Sequence, residues 1–196
     1  MSRAQFDKQQ VIDAATGLFW QQGYQAASMQ QIVQCTGLKP GSLYLAFGNK
    51  QGLFAEAIKA YGANGRAQLQ ALFASTDSIG RSICEIFSGM ISEAISKDYC
   101  SCFLVKAQLE LATEGNTHAA LLQLVQEELA AVEVVYANAL SRDFGEQKAQ
   151  ALARSIMLHI FGLRVYGYKH NSAEQLLETL QLGLSWLPWD SIETKH

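Results

Sequence analysis

Proline is nearly missing from this chain, with two in 196 residues. That scarcity excludes a proline-rich linker or tail, and no other low-complexity stretch or internal repeat takes its place. Long apolar runs are missing too. No stretch reaches the roughly 18 apolar residues that span a bilayer, so no membrane helix is expected. The opening residues, MSRAQFDKQQ, lack the apolar centre of a secretory signal. A cytoplasmic location follows as an expectation, with Cys35, Cys84, Cys100 and Cys102 as reduced thiols. There is no phosphate loop, nucleophile elbow or dinucleotide glycine pattern. His118, His159, His170 and His196 have no ligand spacing with cysteines or carboxylates, so no metal and no cofactor is expected. Glu127–Glu128 reads as a solvated helix face rather than a catalytic pair. A non-enzyme is therefore expected, with an all-α enzyme as the alternative class.

Alanine, leucine, glutamine and glutamate dominate, and alternating apolar–polar runs are scarce. These features point to an all-α protein. A hydrophobic fraction of 49% is enough for a sizeable core. The net charge of −3 argues against a non-specific coat on nucleic acid, but it is unevenly spread. Through Gly52 the basic residues Arg3, Lys8, Lys39 and Lys50 outnumber the acidic Asp7 and Asp13. The remainder holds eleven basic against sixteen acidic residues. A weakly basic front on an acidic body suits a protein that turns one end toward phosphates.

The most informative stretch is Ser28–Lys50, SMQQIVQCTGLKPGSLYLAFGNK. Ser28 is a suitable N-cap, and Met29, Ile32 and Val33 share one helical face. Gly37 fits a left-handed C-cap. Lys39 precedes a proline and is pushed toward extended geometry, and Pro40 suits the first position of the next helix. Leu43 and Phe47, four apart, give that helix a buried side. Ser42, Tyr44 and Leu45 point elsewhere. Helix, glycine turn and second helix make a helix-turn-helix, whose second helix enters the DNA major groove.

From Phe6 to about Tyr61 the chain resembles the DNA-binding module of the TetR family of bacterial transcriptional regulators. The resemblance rests on Gly23-Tyr24, Ser28, Ile32, Gly37-Leu38, Gly41-Ser42-Leu43-Tyr44, Phe47, Asn49-Lys50 and Leu53-Phe54 in order. Val33, where alanine is common, and Leu45-Ala46, where polar or aromatic groups are common, depart from it. The resemblance implies a three-helix DNA-binding head at residues 1–50. It also implies a helical effector-binding and dimerisation body at 51–196, with about nine helices in all. It implies DNA contact by Ser28, Lys39, Pro40, Gly41, Ser42, Tyr44, Leu45 and Lys50, Leu45 being able to meet a thymine methyl. Tyr24 is either a core aromatic or a group that reaches the DNA backbone. The implied partners are a palindromic operator in double-stranded DNA, a second copy of the chain and an unidentified small-molecule effector. The implied function is a repressor that the effector releases.

The coarse helix reading runs Ala4–Gln22, then the helix-turn-helix, then a helix capped by Asn49 and ended by Gly62, Asn64 and Gly65. Further helices are expected at Ala67–Ala74, Ser78–Ser96, Phe103–Thr113, Thr117–Ser141, Gln147–Tyr168 and Ala173–Trp186. Breaks fall at Lys97-Asp98, Glu114-Gly115-Asn116, Gly145 and His170-Asn171-Ser172. The stripes Leu152, Ile156, Ile160, Leu163, Gly167 and Leu177, Leu180, Leu184, Leu187 read as core. By the resemblance they are instead a four-helix dimer interface. Effector-pocket candidates, each equally readable as core, are Tyr61, Phe87, Met90, Cys102, Phe103, Lys106, Tyr136 and Phe161, with Gln108, Met157 and Tyr166 behind them. Cys35 and Cys84 read as small core fillers. Cys102 opens a helix and is either a redox or electrophile sensor or an inert packed thiol.

Overall fold

A computed structural model describes residues 6–113, 115–169 and 172–191. Arg3, Ala4, Glu114, His170, Asn171 and His196, named above, lie outside them. The described residues form nine α-helices and two short 3-10 turns, with no strand among them. The all-α expectation holds.

The first three helices are set by their ends. Helix α1, Lys8–Gln22, starts where the Asp7 carboxylate accepts the Gln9 and Gln10 amides at 2.8 and 3.3 Å. It stops at Gly23, whose φ of +88° suits glycine alone. Helix α2, Met29–Thr36, opens with a reciprocal capping box. The Gln31 amide donates to the Ser28 hydroxyl, and the Ser28 amide donates to the Gln31 side chain. Gly37 closes it in the left-handed region, and Pro40 opens α3, Pro40–Phe47, behind an extended Lys39.

Helix α4, Lys50–Ser75, departs from expectation. It runs straight through Gly62, Asn64 and Gly65, merging two expected helices. Interior glycines cost only about 1 kcal/mol each against alanine, and no proline interrupts the segment. Next come α5, Ile79–Ala94, α6, Phe103–Thr113, α7, Ala119–Phe144 behind a 3-10 turn, α8, Glu146–Tyr166, and α9, Ala173–Gly183. Helix α9 ends three residues early. The Leu184 backbone leaves the helix, and its carbonyl instead accepts the Trp189 indole N–H at 2.9 Å.

The chain divides into two compact units, Met1–Asn64 with Lys106–Leu129, and Gly65–Val105 with Ala130–His196. The expected boundary at residue 50 falls inside the first. That unit packs Ala15, Phe19, Ala27, Ile32, Phe54, Ala57, Ile58, Leu111 and Val125, all at most 1% exposed. Its aromatic centre sets Phe54 edge-on to Phe19 at 4.8 Å and against Tyr24 at 4.7 Å. In the second unit α5 packs on α8 and α9, burying Ile83, Cys84, Phe87, Ile156 and Leu184 completely.

At the junction of α3 and α4 the Asn49 side chain caps the Gly52 amide at 2.8 Å. A Cβ on Gly52 would lie 2.0 Å from the Phe47 carbonyl oxygen, a backbone atom that cannot swing aside. Gly17, by contrast, has nothing within 4 Å of its would-be Cβ. Gly52→Ala is expected to destabilise the protein by about 1–3 kcal/mol, and Gly17→Ala to be neutral or stabilising by up to about 1 kcal/mol. Urea midpoints followed by circular dichroism decide it; equal midpoints for the two variants would show that the junction is not tight.

Candidate nucleic-acid interface

Helix α3 turns Leu43 and Phe47 inward, at 3% and 9% exposed, and its opposite side outward. Lys39, Pro40, Gly41, Tyr44 and Leu45 are exposed, and Ser42 is half-buried. Ser42, Tyr44 and Leu45 lie away from the buried Leu43–Phe47 side, as expected from their spacing. Ser28 is exposed beside them at the start of α2, with its hydroxyl engaged in the capping box. The free ends of the α2 amides there carry partial positive charge.

Lys50 is engaged within the protein. Its ammonium donates to the Gln25 and Ala27 carbonyls at 3.2 and 2.8 Å and sits 4.5 Å from the Tyr24 ring centre. Partial burial, opposed by the nearby Glu110 charge, lowers its pKa. Tyr24 itself is 6% exposed and packed among aromatics, so the core reading of that residue holds. Burial raises its phenol pKa.

The same turn is held from its other side by α6. The two Glu110 carboxylate oxygens accept the Tyr24 and Gln25 amides at 2.9 and 2.7 Å. One helical turn earlier, the Lys106 ammonium donates to the Trp20 carbonyl at the end of α1. The α1–α2 connection is thus clasped by an acid on its amides and by two lysines on its carbonyls. The Gln25 side chain also meets the His118 ring at 3.1 Å. Sequence reading missed Glu110. Its only local signal is the Lys106–Glu110 spacing of four, which places both groups on one helical face.

The cationic side of the surface is sparse. Among the described residues of 6–50, Lys8 pairs with Glu56 at 2.8 Å and Lys50 with the two carbonyls, which leaves Lys39.

Residues 11–57 match the family described as "Bacterial regulatory proteins, tetR family". Residues 11–57 thus form a TetR-family DNA-binding segment. It is 33% identical over 113 residues to the HTH-type transcriptional repressor ComR of Escherichia coli (strain K12), covering 57% of this chain and 54% of that one. Over 81 residues it is 33% identical to the repressor BdcR of the same organism, covering 41% of each. The chain thus spans about half the length of the curated relatives it matches. A cysteine mutant of the TetR-family regulator CifR, complexed with 26-bp double-strand operator DNA, superposes with a TM-score of 0.77. The overlap covers 96% of this chain and 100% of that one, at 22% identity, so this likeness is one of fold.

The pocket candidates fall in both compact units. Tyr61 and Lys106 lie in the first unit, Tyr61 edge-on to Trp20 at 5.5 Å. Phe87, Phe103 and Tyr136 are core of the second, at most 1% exposed, and burial raises the Tyr136 phenol pKa. Met90, Cys102 and Phe161 are half-buried in that unit. A cleft of about 840 Å³ opens between α8 and α9, lined by Leu158, Gly162, Tyr166, Leu176 and Thr179 among others. Of the residues considered from sequence, Leu163, Leu180, His159 and Tyr166 reach it. Cys84 is core as expected, its thiol pushed up to about 11 by burial. Cys35 is not: it is exposed, facing an open cleft between the start of α1 and the end of α2.

Glu110→Ala removes the acceptor of two amides and is expected to cost about 2–4 kcal/mol. Glu110→Gln, which keeps one acceptor, is expected to lose less. Urea denaturation of the full chain measures both; two variants indistinguishable from wild type would show that the clasp contributes nothing.

Proposed function

We propose that this chain is a sequence-specific DNA-binding transcriptional regulator, a repressor released from its operator by a small-molecule effector. The observation that carries this reading is the outward surface of α3 on a TetR-family head. Lys39, Pro40, Gly41, Ser42, Tyr44 and Leu45 would enter the major groove, and Ser28 with the α2 amides would receive a phosphate. Lys50 would act mainly by holding the turn that precedes α2. Residues 1–50 would read DNA, and 51–196 would bind the effector and dimerise. Such a protein works beside the chromosome, in the cytoplasm.

A palindromic operator needs two heads, and we assign dimerisation to α8 and α9. The stripe Leu152, Ile156, Ile160, Leu163, Gly167 is not what a second copy would meet, because Ile156, Ile160, Leu163 and Gly167 are buried within the protomer. Leu180, Leu184 and Leu187 are buried as well. The outward apolar groups are Leu158 at 72%, Val165 at 46%, Tyr166 at 53% and Leu182 at 78% exposed. Two heads fit half-sites one turn apart only at about 34–36 Å. An effector that binds better to another arrangement of the dimer would release the DNA by shifting that population.

Random-sequence selection with the full chain tests the central reading, with a palindromic consensus expected. Failure of the folded protein to enrich any sequence would sink it. With Lys39 the cation left among the described residues of 6–50, and the formal charge of Arg3 added from the sequence, two heads give a log–log salt slope no steeper than about −4. A steeper slope would mean that Lys8 or Lys50 leaves its partner for phosphate. Leu158→Glu with Leu182→Glu should leave a folded monomer by sedimentation; an undisturbed dimer would place the interface elsewhere.

A further inference from the structure

Leu45 stands diametrically opposite the buried Leu43–Phe47 side of α3 and is 74% exposed. At 100° per residue its neighbours on that outward line are Gly41, one turn before, and Gly48, just past the helix end. Neither carries a side chain, and a Cβ at either would meet nothing within 4 Å. Leu45 therefore projects alone from the centre of the surface. The hydroxyls of Ser42 and Tyr44 lie to its sides. No residue of Pro40–Phe47 bears an amide, guanidinium, ammonium or carboxylate. The paired donors and acceptors that read guanine or adenine in the major groove are absent from this helix.

We infer that Leu45 is the specificity-determining residue of α3, and that it reads the C5-methyl group of a thymine in each operator half-site. This inference rests on the DNA-binding reading above. The thymine methyl is the apolar feature of the major groove, and an isopropyl group is its match. A G·C pair at the same place would put an exocyclic amine or carbonyl against Leu45, stripped of water with no partner, which disfavours it. The bare glycines on both sides let the backbone come close enough for one branched side chain to touch the base edge. The sparse cation count fits the same picture, since discrimination then rests on a small apolar contact.

The experiment uses the full-length dimer and its selected operator. Each thymine is replaced in turn, symmetrically in both half-sites, by deoxyuridine, which lacks only the methyl group. Binding is measured for wild type and for Leu45→Ala, a change at an exposed position that should not disturb folding. The expected result is one thymine per half-site whose loss of methyl weakens wild type about fourfold per half-site, the value of one buried methyl. The same replacement should leave Leu45→Ala within error. Two results would overturn the inference: no thymine whose methyl matters to wild type, or a methyl whose removal weakens wild type and Leu45→Ala equally. Wild type failing to select any sequence would instead defeat the underlying DNA-binding reading, which separates the two failures.

Discussion

The clasp on the α1–α2 connection is the constraint on which the proposed DNA-reading surface depends. A chain leaving one helix and entering another exposes orphan amides and carbonyls. Here they are met from two directions: Glu110 takes the Tyr24 and Gln25 amides, Lys106 the Trp20 carbonyl, and Lys50 the Gln25 and Ala27 carbonyls. Charged partners make these bonds stronger than neutral ones. With the turn fixed, Ser28 is fixed, and so are the start of α2 and the position of α3. Two of the three clasping residues come from α6, more than eighty residues downstream. The first compact unit accordingly includes Lys106–Leu129, whose Leu111 and Val125 also join its core.

The surface so positioned is lean in charge. Lys8 is paired with Glu56 and Lys50 with backbone carbonyls, which among the described residues of 6–50 leaves Lys39. Salt-bridged and carbonyl-bound lysines count in a sequence tally yet give little to phosphate binding. In the proposed reading, discrimination shifts to backbone proximity, helix-end amides, hydroxyls and an apolar side chain.

In the second unit, burial and periodicity part company. The leucine and isoleucine stripe of α8 reads from sequence as a surface for another helix, and it is one, but the other helices belong to the same chain: α5 and α9 cover it. The outward groups, Leu158 and Leu182, sit on the opposite line. Periodicity identifies an amphipathic face. It does not say which of two apolar lines on a helix is closed by the chain itself.

Local chemistry made the head legible in advance. The Ser28 cap, the Gly37 stop, the Lys39-Pro40 start, the Leu43–Phe47 inner side and the outward Tyr44 and Leu45 depend on interactions within a few residues, which composition and spacing encode directly. The all-helical class was legible for the same reason. Helix continuity was not: Gly62 and Gly65 look like a stop, but the helix cost of a glycine is small enough for packing to override it. Nor were the partners of Lys50, the role of Glu110, the steric need for Gly52, the exposure of Cys35 or the inward stripe of α8. Each of these is decided by atoms brought near from distant parts of the chain. The sequence by itself determined the helix-turn-helix and its outward residues, because those are local. Only the tertiary structure decided what holds that motif in place and which apolar faces remain open, because both depend on which distant helices close over them.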